Sequence, residues 1–331
     1  MLGRQDVGHR VVVRRFVGFS GDRRLYSDAL GELVDVTESH LTLATDGGTL
    51  VVPMQEVHRA KRVPPRRRPG ASEVIALELA ANEAWPAPDT GRLGDWLLRS
   101  AQGWTGRANS ALPVGDPDRP LEEAIDAVER WYGRRGRPPL VNTPLPLAAP
   151  VGAALDARGW TARPLTLLQS GPLAGLRGGS VGVTLARRPS DAWLAVAAAR
   201  KQSLPDAAWH VLTAVPQVRF AEAYDGSELV AIGRGAVVGA GRWLHVGLVE
   251  VVPAWRRRGL AGRMTAALAE WAAGLGATRA FLQVEERNTA AVALYGSLGL
   301  ATHHSYLIRE RPRRLQWLGS GDPARDVQDR G

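Results

Sequence analysis

The chain has 331 residues and a mass of 35.6 kDa, enough for two or three domains and a core that needs no covalent staples. It contains no cysteine, which excludes disulfides, thiolate zinc sites, iron–sulfur clusters and a cysteine nucleophile. The 42 basic and 33 acidic residues leave a formal charge of +9, nearly all from arginine, which favours anionic partners such as nucleic acid or a polyphosphate cofactor. No run approaches the roughly 18 continuous apolar residues of a membrane span. The first residues, MLGRQDVGHRVVVRRFVGF, lack the apolar core and cleavage pattern of a secretory signal. The expectation is a cytoplasmic protein with no membrane partner.

Residues 1–60 read as β structure. Val11 to Val13 with Phe16 and Val17, Leu30 to Val36, Leu41 to Ala44 and Leu50 to Val52 are short apolar-rich runs, with a turn at Asp46-Gly47-Gly48. Several short strands in so small a span predict an SH3-like or Tudor-like barrel. Phe16, Phe19 and Tyr26 are expected to contribute to its small core. Residues 61–70, KRVPPRRRPG, form a basic proline-rich linker. A second composition break falls at 170–180, and the tail at 311–331 is polar.

Between those breaks lies an internal repeat with an offset of 140 residues. Pro113 matches Pro253, Ala127 matches Ala267, Trp131 matches Trp271, Gly136 matches Gly276 and Gly159 matches Gly299. Prolines, tryptophans and glycines kept in one register point to duplication. Each copy reads strand, proline, loop, amphipathic helix, strand, short helix ending in glycine, strand. The division that follows is a first copy at 71–170 and a second at 180–310.

The second copy carries the chemistry. Leu244 to Val252 is a β run ending at Pro253, followed by Ala254-Trp255-Arg256-Arg257-Arg258-Gly259-Leu260-Ala261-Gly262. Leu260, Met264, Leu268, Trp271 and Leu275 then recur at helical spacing, and Gly276 ends the helix. A strand thus feeds an Arg/Gly loop that opens a helix. The first amides of a helix lack intrahelical partners and carry partial positive charge, so the loop suits an anion. Gly259, Ala261 and Gly262 permit close approach to the backbone, and the arginines add forked donors. Beyond the next strand, Phe281 to Val284, comes Asn288 and a second helix on which Ala291, Leu294, Tyr295 and Leu298 share a face, closed by Gly299. Ser305 to Ile308 form a last strand.

The order V-x-P, R-x-x-G-x-A, then N-x-x-A-x-x-L-Y-x-x-x-G one strand later, at Val251 to Pro253, Arg256 to Ala261 and Asn288 to Gly299, resembles the GNAT acyl-CoA transferase superfamily. The tandem arrangement resembles mycothiol synthase and other actinobacterial double-GNAT proteins; the barrel-like N-terminus departs from mycothiol synthase. The resemblance implies an α/β (α+β) fold, two GNAT units each with a mixed central sheet flanked by helices, preceded by the small β unit. It implies acetyl-CoA as cofactor, its pyrophosphate on the amides of Arg256, Arg257, Arg258, Gly259, Leu260, Ala261 and Gly262. The pantetheine arm would lie along Val249, Val251 and Val252, with an amide near Val251 polarising the thioester carbonyl. Asn288 would contact the cofactor arm, and Tyr295 would protonate the departing thiolate.

For the base, Glu250 lies between Val249 and Val251 and points opposite to them. His245 titrates in range but precedes Val251 by six residues, and ranks behind Glu250. Gln283 stands where some family members carry a glutamate and cannot act as a base. In the first copy the loop reads Asp116-Pro117-Asp118-Arg119, Leu155 replaces Tyr295 and Ala148 replaces Asn288. Its carboxylates repel a pyrophosphate, and Pro117 and Pro120 remove donors. This copy is expected to keep the scaffold, lose the cofactor and wall the acceptor cleft.

Other signals carry less. Gly233-Arg234-Gly235 resembles a dinucleotide fingerprint, but no helix follows, so it reads as turns and strand ends. His303-His304 should point to opposite faces of a strand with no carboxylate cluster nearby, so no metal is expected. The expected activity is direct acetyl transfer to a primary amine of a small molecule or peptide, with nucleic acid not expected as a partner. The rival is a non-catalytic acyl-CoA-binding regulator whose barrel binds protein or RNA.

Overall fold

The computed structural model describes residues 2–45, 48–63, 69–199 and 204–312. Asp46-Gly47, linker residues 64–68, Lys201 and the tail from 313 lie outside the described residues. The chain divides into two compact units, residues 1–68 and 69–331.

The first unit is a five-stranded antiparallel sheet. Its strands are β1 (Arg10–Ser20), β2 (Arg23–Val36), β3 (His40–Thr45), β4 (Gly48–Pro53) and β5 (Val57–Arg62), in the order β4-β3-β2-β1-β5. Alternation turns Val11, Val13, Leu33, Leu41, Leu43 and Val52 into one buried cluster. The expected closed barrel is not what the pairing gives: no ladder joins β4 to β5 among the described residues. The aromatic core is also corrected. Phe19 is 63% exposed and Tyr26 39%, because the β1–β2 hairpin runs well beyond the buried cluster. There the rings of Phe16, Phe19, Tyr26 and His58 pack against one another.

In the second unit, α1 (Ala71–Ala84) precedes a hairpin of β6 (Asp89–Leu93) and β7 (Trp96–Ser100). Then come α2 (Leu121–Gly133), β8 (Leu140–Leu145), α3 (Ala149–Ala157), β9 (Thr161–Ala162) and β10 (Thr166–Pro172). The C-terminal half has β11 (Thr184–Ala186), α4 (Asp191–Ala198), α5 (Asp206–Thr213), β12 (Val218–Asp225), β13 (Glu228–Val238) and β14 (Trp243–Val251). It ends with α6 (Leu260–Gly274), β15 (Arg279–Glu285), α7 (Thr289–Ser297) and β16 (Ala301–Glu310). Helices α3 and α7 begin and end 140 residues apart, the offset of the sequence repeat.

Both halves feed one mixed sheet in the order β11-β12-β13-β14-β15-β10-β16-β8, with β9 beside β16. Strand β10 lies between β15 and β16, antiparallel to both. One face buries Leu168, Phe220, Ile232 and Phe281 against residues of α1, α4 and α5. The other buries Ala221, Ala231, Leu244 and Leu282 against α6 and α7. On α6 the expected face holds through Leu260, Met264 and Leu268, while Leu275 is exposed at the helix end.

Two sequence readings change here. Gly233-Arg234-Gly235 is the middle of β13, not a turn. A Cβ on Gly235 would sit 2.8 Å from the Leu268 side chain, so the glycine lets α6 approach the sheet. Arg234 is fully buried and donates to the carbonyls of Ala84, Val211 and Leu212, at the C-terminal ends of α1 and α5. Those carbonyls carry the negative ends of two helix dipoles, which is why a charge is tolerated there. Likewise His303 and His304 do not point apart: their Nδ1 atoms lie 2.8 Å apart, and His304 Nε2 lies 2.9 Å from Glu78 Oε1. The register shifts so that Leu168 pairs His304 while Gln169 pairs Thr302, leaving His303 as the extra residue of a bulge that breaks the alternation.

Candidate active site

The site begins where two parallel strands part. β14 and β15 pair only through Trp243–Arg279, Leu244–Ala280 and His245–Phe281. Beyond that the β15 side of residues 246–251 has no strand partner among the described residues. Leu248 takes φ +51° there, and three residues of β14 span two of β13, a bulge that turns β14 away. The amide of Val252 donates to Val230 on β13, so by alternation the amides of Val249 and Val251 point into the open gap. That is a free edge for an extended ligand.

The loop after β14 completes the gap. Pro253–Trp255 is one 3-10 turn, Arg257 and Gly259 adopt left-handed φ of +64° and +76°, and α6 starts at Leu260. The first amide to reach back into the helix is Arg263, to the carbonyl of Gly259. The amides of residues 257–262 therefore have no backbone acceptor among the described residues, and no side chain caps the helix. A Cβ at Gly259 or Gly262 would meet nothing within 4 Å, so this turn of backbone faces open space. Arg256, Arg257 and Arg258 are exposed; Arg256 Nε donates to the Val251 carbonyl, and Arg258 stacks 4.4 Å over the Trp255 ring. Bare amides, a helix dipole and three guanidiniums make a cradle that fits a diphosphate.

The equivalent turn of the first half is closed by its own acids. Asp116 and Asp118 amides donate to Asp95 and Asp116 carboxylates, Pro117 and Pro120 have no N–H, and Glu122 and Glu123 occupy the first turn of α2. Leu155 is buried where the second half has Tyr295.

Tyr295, on α7, is 7% exposed within the cluster beneath β14 and α6. Burial raises its phenol to about 12, Thr265 beside it acts in the lowering direction, and the charge of Glu250 adds to the rise. The phenol stays protonated at physiological pH and so holds a proton to donate. Asn288 is the N-cap of α7, its side chain accepting from the Ala291 amide at 3.3 Å. Val249 and Val251 pack on the α6 side, whereas Leu248 packs on the opposite face. Glu250 pairs with Ile232 of that opposite face and is half-buried.

On the same face lies a residue that sequence reasoning ranked second. His245 is 0% exposed at the last paired position before the strands part; its ring nitrogens miss full hydrogen-bond geometry, and the side chain of Gln283 lies beside the ring. Burial first, and then the charges of Arg107 and Arg234, pull its pKa well below 6.5, so the ring is neutral. The signal was present in the sequence as a lone titratable residue inside the apolar run Leu244-His245-Val246. A stability consequence follows. Unfolded, the imidazole takes up a proton as the pH falls through 6.5, while the folded ring does not, so unfolding gains protons and stability drops. His303, lowered to about 4 mainly by burial, acts in the same direction over the window down to that value. The urea midpoint is expected to decline steadily from pH 6.5 toward 4, and His245→Gln to lessen the slope across that whole window. A midpoint level across that range would contradict the assignment.

A sheet split between two parallel strands, with a bare-amide arginine turn at the foot of the next helix, defines a GNAT-type acyltransferase. A GCN5-related N-acetyltransferase from Kribbella flavida shares the fold, with a TM-score of 0.56 at 18% identity over 75% of this chain and 97% of that one. The family described as "Probable histone acetyltransferase Rv0428c C-terminal" matches residues 71–308. The "Probable histone acetyltransferase Rv0428c" of Mycobacterium tuberculosis is 32% identical over 92% of this chain and 95% of its own length. The "Uncharacterized N-acetyltransferase YobR" of Bacillus subtilis is 29% identical over 72% of this chain and 99% of its own. The chain belongs to this Rv0428c-type family of GNAT acetyltransferases and is an N-acetyltransferase. No helix among the described residues is long and apolar enough to cross a membrane.

Proposed function

We propose that the protein is an acetyl-CoA-dependent N-acetyltransferase that passes the acetyl group directly to a primary amine. The observation that carries this reading is the run of amides from Arg257 to Gly262 at the foot of α6, without backbone acceptors among the described residues, beside the open edge of β14. Arg256, Arg257 and Arg258 would add charge there, with Gly259, Leu260, Ala261 and Gly262 giving backbone donors. Val249, Val251 and Val252 would hold the pantetheine arm, and Asn288 would border it. Acetyl-CoA supplies an acyl group already activated as a thioester. Tyr295 keeps a proton on Oη for the departing sulfur, and the Val251 amide serves as an oxyanion donor. On the other face, Glu250 attracts the ammonium of the acceptor and takes its proton through water, while neutral His245 accepts a hydrogen bond from the amine. No covalent acyl-enzyme is required.

Two finer readings accompany this one. Residues 71–170 are a degenerate copy and 180–310 the catalytic copy, in the manner of the double-GNAT proteins; the shared 140-residue offset of α3 and α7 supports it. The order β4-β3-β2-β1-β5, with a 3-10 turn between β4 and β5, supports an SH3-like origin for the N-terminal sheet. The acceptor is a small-molecule or peptide amine and the compartment cytoplasmic. Thiol release from acetyl-CoA on addition of an amine tests the activity; no release with any amine would refute it. Titration of the full chain with acetyl-CoA should saturate at one molecule per chain, since acids fill the first copy's turn. Saturation at two would contradict that reading.

A further inference from the structure

The face opposite α6 and α7 holds an unresolved excess of positive charge. Two arginines, Arg107 and Arg234, flank Trp85, which is stacked at 5.3 Å on Trp104 and lies 6.1 Å from the His245 ring, and the buried Arg99 feels the charge of Arg107. Arg234 sits 5.0 Å from the Trp85 ring and spends its donors on helix carbonyls. Arg99 donates to the carbonyl and hydroxyl of Ser110 and to Asn82. Arg107, with its guanidinium 5.2 Å from the Trp85 ring, has neither resource. Its Nη1 is buried without an acceptor, and no carboxylate lies within ion-pair distance of it among the described residues. The buried carboxylates of this face are already engaged, Glu78 by His304 and Asn142 and Glu222 by Ser190 and Tyr224.

The orphans are not confined to Arg107. His245 and Gln283 on β15 lie side by side, and their ring nitrogens and amide atoms miss full hydrogen-bond geometry. Buried polar groups without partners each cost about 1–3 kcal/mol, and more when charged. Such a set in one place is the signature of a site that a ligand completes. Its chemistry is asymmetric: Arg107 offers only donors and positive charge, His245 offers an acceptor, and Glu250 adds negative charge on the same face of the sheet. A molecule with an amine at one end and an anion at the other satisfies all three.

Building on the acetyl-transfer reading, we infer that the acceptor is an amine that also carries a carboxylate or similar anionic group, and that Arg107 binds that group. Arg107 comes from the loop between β7 and α2, so the half without the phosphate turn supplies the specificity residue for the half that has it. A guanidinium held against an indole face is oriented for a bidentate contact with a planar carboxylate. Basic peptides, which bring more positive charge toward Arg107, Arg99 and Arg234, are disfavoured by the same field.

The test uses the full chain and matched pairs that differ only in charge: α-amino acids, β-alanine and γ-aminobutyrate against their carboxamides. Thiol release gives kcat/KM for each. The best acid is expected to exceed its amide by about tenfold or more. In Arg107→Met that ratio should fall to about one, through KM rather than kcat, with acetyl-CoA affinity unchanged and the melting temperature not lowered, since an unpartnered buried donor is removed. Arg107→Lys should restore part of the preference. An amide used as well as its acid by the parent protein, or a preference that survives in Arg107→Met, would overturn the inference while leaving acetyl transfer intact. Transfer to none of these amines or to any basic peptide, although acetyl-CoA binds, would overturn the transfer reading and this inference together.

Discussion

Tyr295→Phe is expected to lower kcat roughly a hundredfold or more while leaving acetyl-CoA affinity within about twofold. Phenylalanine keeps the ring that fills the cluster between α6, α7 and β14, so packing changes little. What goes is one proton donor. The phenol is held near 12 by burial, hence fully protonated through the working range, and a leaving thiolate needs that proton. A factor of 100 corresponds to about 2.7 kcal/mol of barrier. The loss should be independent of pH between 6 and 9, because the phenol does not titrate there. Steady-state kcat with acetyl-CoA saturating is the measurement. A loss below about threefold would mean that water, not Tyr295, delivers the proton.

Arg234→Met is expected to destabilise the second unit by about 3 kcal/mol. Removing the side chain has two opposing effects. It relieves a buried charge, whose desolvation is already visible as a pKa drawn down to about 9. It also strands the carbonyls of Ala84, Val211 and Leu212 at the ends of two helices around a fully buried side chain. Each stranded group costs about 1–3 kcal/mol, so the loss of three bonds outweighs the relief. Arg234→Lys should recover little, since one ammonium cannot span the carbonyls of two helices. Urea denaturation followed by tryptophan fluorescence reads the change, because Trp85 and Trp193 lie in this cluster. A midpoint unchanged in Arg234→Met would show that the carbonyls find other partners.

Features set by neighbouring residues were legible in the sequence. The turn from Arg256 to Gly262 is such a case: a strand, a left-handed glycine and a helix start need only local information, and α6 begins at the expected Leu260. The 140-residue offset was readable because loops and helix ends keep their prolines and glycines. Features set by distant pairing were not. The insertion of β10 between β15 and β16 leaves no periodic trace, since either neighbour suits an apolar strand. The first half of β2, Arg23 to Ala29, lacks alternation because that end of the hairpin has no core beneath it. His303 escaped because a bulge suspends the period-two rule. Arg234 was misread because glycines flank it; in β13 they clear room for α6 rather than make a turn. Arg107 carried no local signal at all, and acquires its setting only when the β7–α2 loop meets Trp85, whose ring lies beside His245 of β14.

The central claim is that the foot of α6 binds the diphosphate of coenzyme A. Calorimetric titration of acetyl-CoA into the parent chain and into an Arg256→Glu, Arg258→Glu double variant tests it most directly. The account predicts one saturable site in the parent, weakened by about a hundredfold or more in the variant, because two attractive charges become repulsive beside the bare amides. Equal affinities in the two proteins, or no binding to the parent, would contradict it.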